Sequence, residues 1–146
     1  MTPKKEMNTT QVLDTFGELI AALAALAVKV PAKSFMAIPG GIRPTEEAID
    51  KYETVVYRFR DQAGSTYRIL YGFFVDSLEA FEAGRIFDAV PPLLQGIERL
   101  VDLHKEEKVR FNAAEQDRVR EFQQRLEKIL PEASKPEVDL PPPETY

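Results

Sequence analysis

At 146 residues, with 44% hydrophobic and 29% charged side chains, the chain has the composition of one soluble globular domain. Its 19 basic and 24 acidic residues leave a net charge of −5, which argues against a nucleic-acid face built on bulk electrostatics. There is no cysteine, so disulfides, thiolate metal sites and cysteine nucleophiles are excluded, in keeping with an expected cytoplasmic location.

Residues 1–7 read as a flexible N-terminus. Asn8, Thr9 or Thr10 can cap a first helix whose apolar positions run Val12, Leu13, Phe16, Leu19, Ile20, Leu23, Leu26, Ala27 and Val30, with Pro31 as its stop. From Leu19 to Val28 this helix is apolar all round and rich in alanine. That run is shorter than the roughly 20 residues a membrane-spanning helix needs, and Asp14 and Glu18 before it do not suit a signal peptide. With Met1 at the start, no cleaved leader and no membrane insertion are expected. The alanines allow close approach of another helix, within the domain or from a second copy.

The segment from Pro31 to Pro44 is irregular, because Pro39 and Pro44 disfavour helix before them and Gly40-Gly41 frees the backbone. It nevertheless carries Phe35, Met36, Ile38 and Ile42, which dock either over the core or on a partner. Thr45 caps a second helix, with Glu46 and Glu47 where the helix dipole favours acids. Ala48, Tyr52, Val55, Val56, Phe59 and Ala63 share its broad apolar face. Gly64-Ser65 then either breaks the chain or kinks one long helix.

Tyr67 to Gly84 is the most aromatic stretch. Tyr67, Leu70, Tyr71, Phe74, Leu78 and Phe81 fall on one face, and Ile69, Phe73 and Ala80 on roughly the opposite one. A helix apolar on two sides is expected at the centre, with others around it. Gly84 suits its C-terminal cap. Asp88 and Pro91-Pro92 open a fourth helix with the stripe Leu93, Leu94, Ile97, Leu100, Val101 and His104, since proline is tolerated in a first turn. Asn112 to Glu115 has capping-box form, with Asn for Ser/Thr. The fifth helix carries Val119, Phe122, Leu126 and Ile129 as a narrow stripe, which predicts a peripheral helix or one paired outside the domain. The last sixteen residues hold five of the eleven prolines and one positive against four negative charges. They are expected to be extended, with Leu140, Pro142 and Tyr146 as apolar anchors.

No metal-binding spacing is present, and neither a metal nor a cofactor is expected. Glu98, Asp102 and Glu106 share a face but read as solvated acids. Arg99 and His104 lie in an Arg-x4-His spacing on a late helix of a small helical chain. This resembles the HEPN ribonuclease superfamily, although the residue after the arginine, usually polar there, is Leu100 here. The resemblance implies Arg99 on phosphate and His104 as the acid–base group in metal-free RNA cleavage across a dimer. His104 also sits mid-stripe on the apolar face, with Arg99 about 140° around the helix, which predicts a structural histidine bonded to a backbone carbonyl. Tyr67, Tyr71 and Phe74 would line a small-molecule site, but no polar constellation points to one.

The expectation is an all-α bundle of about five helices around the aromatic-rich one. It comprises a flexible N-terminus over 1–7, a helical domain over 8–130 and an extended acidic tail over 131–146. Its expected role is non-catalytic, as an interaction module or subunit of a larger complex, with a protein partner or a homo-oligomer and no nucleic acid. The partner contacts expected are Phe35, Met36, Ile38, Ile42, Val119, Phe122, Leu126, Leu140, Pro142 and Tyr146. The metal-independent ribonuclease using Arg99 and His104 is the alternative.

Overall fold

The computed structural model describes residues 6–28 and 43–130. Within them the chain is all-helical, with α1 over Thr9–Ala27, α2 over Glu46–Gln62, α3 over Tyr71–Glu82, α4 over Ile86–Lys105 and α5 over Ala113–Ile129.

Capping side chains set most of the helix starts. Asn8 accepts from the Gln11 N–H while the Gln11 side chain returns to the Asn8 N–H, a reciprocal pair that opens α1. Thr45 caps α2 through the Ala48 N–H. Asn112 and Glu115 form the same reciprocal pair at α5 as at α1. Met7, before the first helix, is buried, and its N–H donates to the Gln62 carbonyl.

Gly64, at φ +83°, breaks the chain between α2 and α3. The polypeptide then makes a 3-10 turn over Arg68–Leu70 before α3 begins. The aromatic stretch is therefore a turn followed by a shorter helix, and Ile69 in that turn is 49% exposed. Gly84, at φ +79°, closes α3 as its sequence predicts, with the Arg85 N–H on the Ala80 carbonyl and its own N–H on that of Phe81.

Helix α4 begins a turn earlier than its prolines suggest. Ile86 is its first residue, so Pro91 and Pro92 lie inside the helix and deprive it of two backbone rungs. Beside them, the buried Ser77 hydroxyl of α3 donates 2.8 Å to the Ala89 carbonyl. Tyr52 of α2 hydrogen-bonds Ser77 in turn, and burial pushes its phenol far above the ordinary tyrosine range.

The aromatic-rich α3 packs on α2 and α4 and meets α1 through Phe74 and Phe16, while α1 also touches α2, α4 and α5. The contacts of α1 with α5 fall in matching order along both helices: Thr10 bonds Glu115, Asp14 pairs with Arg118, and Gly17 faces Phe122. Those two helices run parallel, while α2 runs back along α1, from Glu18–Arg58 to Met7–Gln62.

The polar chain from Tyr52 through Ser77 to Ala89 sets an order of mutational cost. Tyr52→Phe removes one net hydrogen bond, about 1 kcal/mol, and leaves the bond to Ala89 in place. Ser77→Ala strands a buried phenol as well, so it is expected to cost more, about 2–3 kcal/mol, in urea unfolding.

Candidate functional site

A groove of about 460 Å³ runs between α1 and α2. Ala21, Ala22, Ala25 and Ala48 line it, with Tyr52 and Val55 beside them and Glu18, Glu47 and Lys51 also on its walls. Ala21 and Ala25, one helical turn apart, stay exposed on the otherwise apolar α1. Helix α1 is long and apolar enough to cross a membrane by length and composition, and close to half of that span is buried within the fold.

The helix-five residues turn inward. Val119, Phe122 and Leu126 are all buried, so these three expected partner contacts belong to the chain's own core. A narrow stripe suffices because α1 presents a glycine to it. A Cβ on Gly17 would stand 3.3 Å from Cζ of Phe122, tighter than ordinary packing, so glycine lets the ring seat there. Arg118 covers the ring's outer face at 5.3 Å and reaches Asp14. The other expected contacts, Phe35, Met36, Ile38, Ile42, Leu140, Pro142 and Tyr146, lie outside the described residues.

Arg99 and His104 are each engaged separately near the end of α4. The His104 ring stacks on Phe111, 4.5 Å between centroids and 11° from parallel. Its Nδ1 accepts from the Phe111 N–H at 3.3 Å, where a bond to a backbone carbonyl was expected. The histidine thus ties the end of α4 to the start of α5, and it is only half-buried. Arg99 faces Asp102 and Glu106, at 3.9 and 3.6 Å. With Ser65, Thr66, Ile69, Leu103 and Lys108 it lines a second, shallow pocket of about 420 Å³. Sequence reasoning did not find this pocket, because its residues are scattered over a turn, a helix and a loop.

Tyr67 and Phe74, read as possible ligand contacts, are buried in the core, and the Tyr67 hydroxyl bonds Thr9. Among the described residues no group of three His, Asp or Glu side chains is placed to hold a metal. On the α2–α3 side, the Glu82 carboxyl bonds that of Glu53, which holds its pKa above the usual carboxylate range, with partial burial and the charges of Glu53 and Glu79 adding to the effect. Comparison with protein-family models, curated proteins and solved structures finds no match to this chain.

Two outcomes follow from this geometry. Replacing His104 by Gln or Leu is expected to lower stability by about 1–2 kcal/mol in urea unfolding. A ribonuclease activity lost in both variants with the fold intact would make His104 catalytic instead. For Glu82, a folded-state pKa above the unfolded one means that folding favours the protonated acid. The resulting penalty grows as pH rises through and above the ordinary value of 4.5. Glu82→Gln is therefore expected to raise Tm more at pH 7 than at pH 4, and equal shifts at both pH values would contradict the shared proton.

Proposed function

We propose that the chain is a soluble, cytoplasmic, non-catalytic helical interaction module, a subunit that docks a partner helix in the α1–α2 groove. The groove lined by Ala21, Ala22, Ala25 and Ala48 is the observation that carries this reading. Alanines a turn apart let a second helix approach closely and receive its larger side chains between them. Glu18 and Glu47 at the groove, with Glu46 in the same first turn of α2, favour a partner with basic residues flanking its apolar stripe. The apolar residues Phe35, Met36, Ile38 and Ile42, in the segment that joins the two groove walls, belong to the same proposal. So do Leu140, Pro142 and Tyr146 in the tail. In this reading the helices form a compact bundle whose open side is the α1–α2 edge.

The engagement of His104 with Phe111, and of Arg99 with two acids, gives the ribonuclease alternative no assembled acid–base pair within one chain.

Arginine at Ala25 fills the groove, and arginine at the exposed Ala114 of α5 serves as the control. Both are surface changes, expected to alter stability by less than about 0.5 kcal/mol. A photo-crosslinker placed at Ala21 in the native host is expected to trap a partner helix, and Ala25→Arg to abolish that capture while Ala114→Arg leaves it. Sedimentation of the purified chain reveals whether the partner is a second copy. Capture unaffected by Ala25→Arg would refute the groove as the docking site.

A further inference from the structure

The end of the molecule opposite the groove carries a different kind of surface. After Gly64 the turn through Ser65, Thr66 and the exposed Ile69 stands between two depressions. On one flank lie Arg60, Arg68 and the half-buried Tyr71, around a cleft of about 100 Å³. On the other lie Arg99 and Lys108, in the pocket of about 420 Å³. Glu107, at φ 62°, closes α4 by placing the Lys108 N–H on the Leu103 carbonyl, which brings the lysine to the pocket's edge.

Three of these cations, Arg68, Arg99 and Lys108, are only loosely held. Arg99 reaches Asp102 and Glu106 at distances beyond hydrogen-bond range, and Lys108 reaches Glu106 at 3.5 Å. Arg68 has no ion-pair partner among the described residues, although Arg60 is bonded to Asp61 at 3.0 Å. A chain of net charge −5 thus sets Arg60, Arg68, Arg99 and Lys108 against Asp61, Asp102 and Glu106 around an exposed isoleucine and two hydroxyls, a local excess of positive charge. Such a face suits an acidic segment with apolar residues among its carboxylates.

We infer that this turn face is the docking surface for the chain's own acidic tail, residues 131–146. Charge favours this end, where four cations stand against Asp61, Asp102 and Glu106, over the groove, whose walls carry Glu18 and Glu47 against Lys51. Length permits it. The tail leaves α5 at Leu130, and α5 starts beside the end of α4 where Arg99 and Lys108 lie. A return along the 17 residues of α5 covers about 26 Å. At about 3.1 Å per residue for an extended proline-rich chain, Glu137 and Asp139 lie about 22–28 Å beyond Leu130. That span brings the two carboxylates within reach of the cationic face, and Val138 and Leu140 within reach of Ile69. In the free chain the tail's apolar anchors are thereby occupied until a partner displaces them.

The cysteine-free sequence makes the test direct, since Val138→Cys supplies a single attachment point for a nitroxide label. In the full-length chain, the label is expected to broaden the backbone amide signals of Thr66, Ile69 and Lys108. The loss is expected to disappear in about 1 M salt, where charges are screened beyond about 3 Å. It is also expected to disappear in Arg68→Glu/Arg99→Glu, with the remaining amide spectrum unchanged to show that the fold is intact. Salt alone decides the question should that variant unfold. Broadening at Ala21, Ala25 and Ala48 would place the tail in the groove and overturn the inference. So would broadening seen only between labelled and isotope-labelled copies mixed together, or none at all. Because the groove reading is tested by capture at Ala21, failure of either leaves the other standing.

Discussion

Four helices meet at one aromatic junction, and their arrangement depends on it. Phe74 of α3 stands edge-on to Phe16 of α1, at 4.9 Å, and to Phe59 of α2, at 4.7 Å. Phe16 in turn lies against Gly96 of α4, where a Cβ would come within 3.3 Å of its ring. All three rings are fully buried. Edge-to-face packing fixes ring orientation as well as distance, so each helix has one rotational setting at this point. A side chain at position 96 would displace Phe16 and with it the contact between α1 and α4.

The polar chain from Tyr52 through Ser77 to Ala89 fixes the same helices in a second way. Apolar packing alone tolerates a helix sliding by a fraction of a turn. A buried phenol and hydroxyl do not, because each wrong register leaves a donor unsatisfied in a dry core. The stacked Tyr52–Phe81 pair, 4.3 Å between centroids, places the phenol against α3 so that its hydroxyl meets Ser77. Ser77 acts where Pro91 and Pro92 weaken the α4 ladder, so side-chain bonding reinforces the helix beside its missing rungs.

The helices themselves were legible because their caps and periodicities are local. Asn8, Thr45, Gly84 and the Asn112–Glu115 pair each act within a few residues of their own position. The turn at Gly64 remained open between two readings, since a glycine is tolerated in a kink as well as a break. What was not legible was non-local. The stripe of α5 looked too narrow for a core helix because the notch at Gly17 that receives Phe122 lies 105 residues earlier, in another helix. Likewise Ile69, read from its spacing as part of the aromatic-rich helix, falls in the turn before α3. The Arg99–His104 spacing was visible, whereas the fates of the two side chains were set by Phe111 and Glu106, which their own helical register does not reveal.

The parallel run of α1 and α5 has a consequence for where charge can act. It brings the ends of both helices to the same end of the molecule, the one at which the groove between α1 and α2 opens. Acids concentrate there too, because the first turn of α2 takes Glu46 and Glu47 for its dipole. The connections at the other end, from Gly64 to Leu70 and from Glu106 to Asn112, present Arg68 and Lys108 beside side chains from α2 and α4. Both ends carry charges of both signs, with Lys51 and Lys128 at the first and Glu106 and Glu107 beside Lys108 at the second.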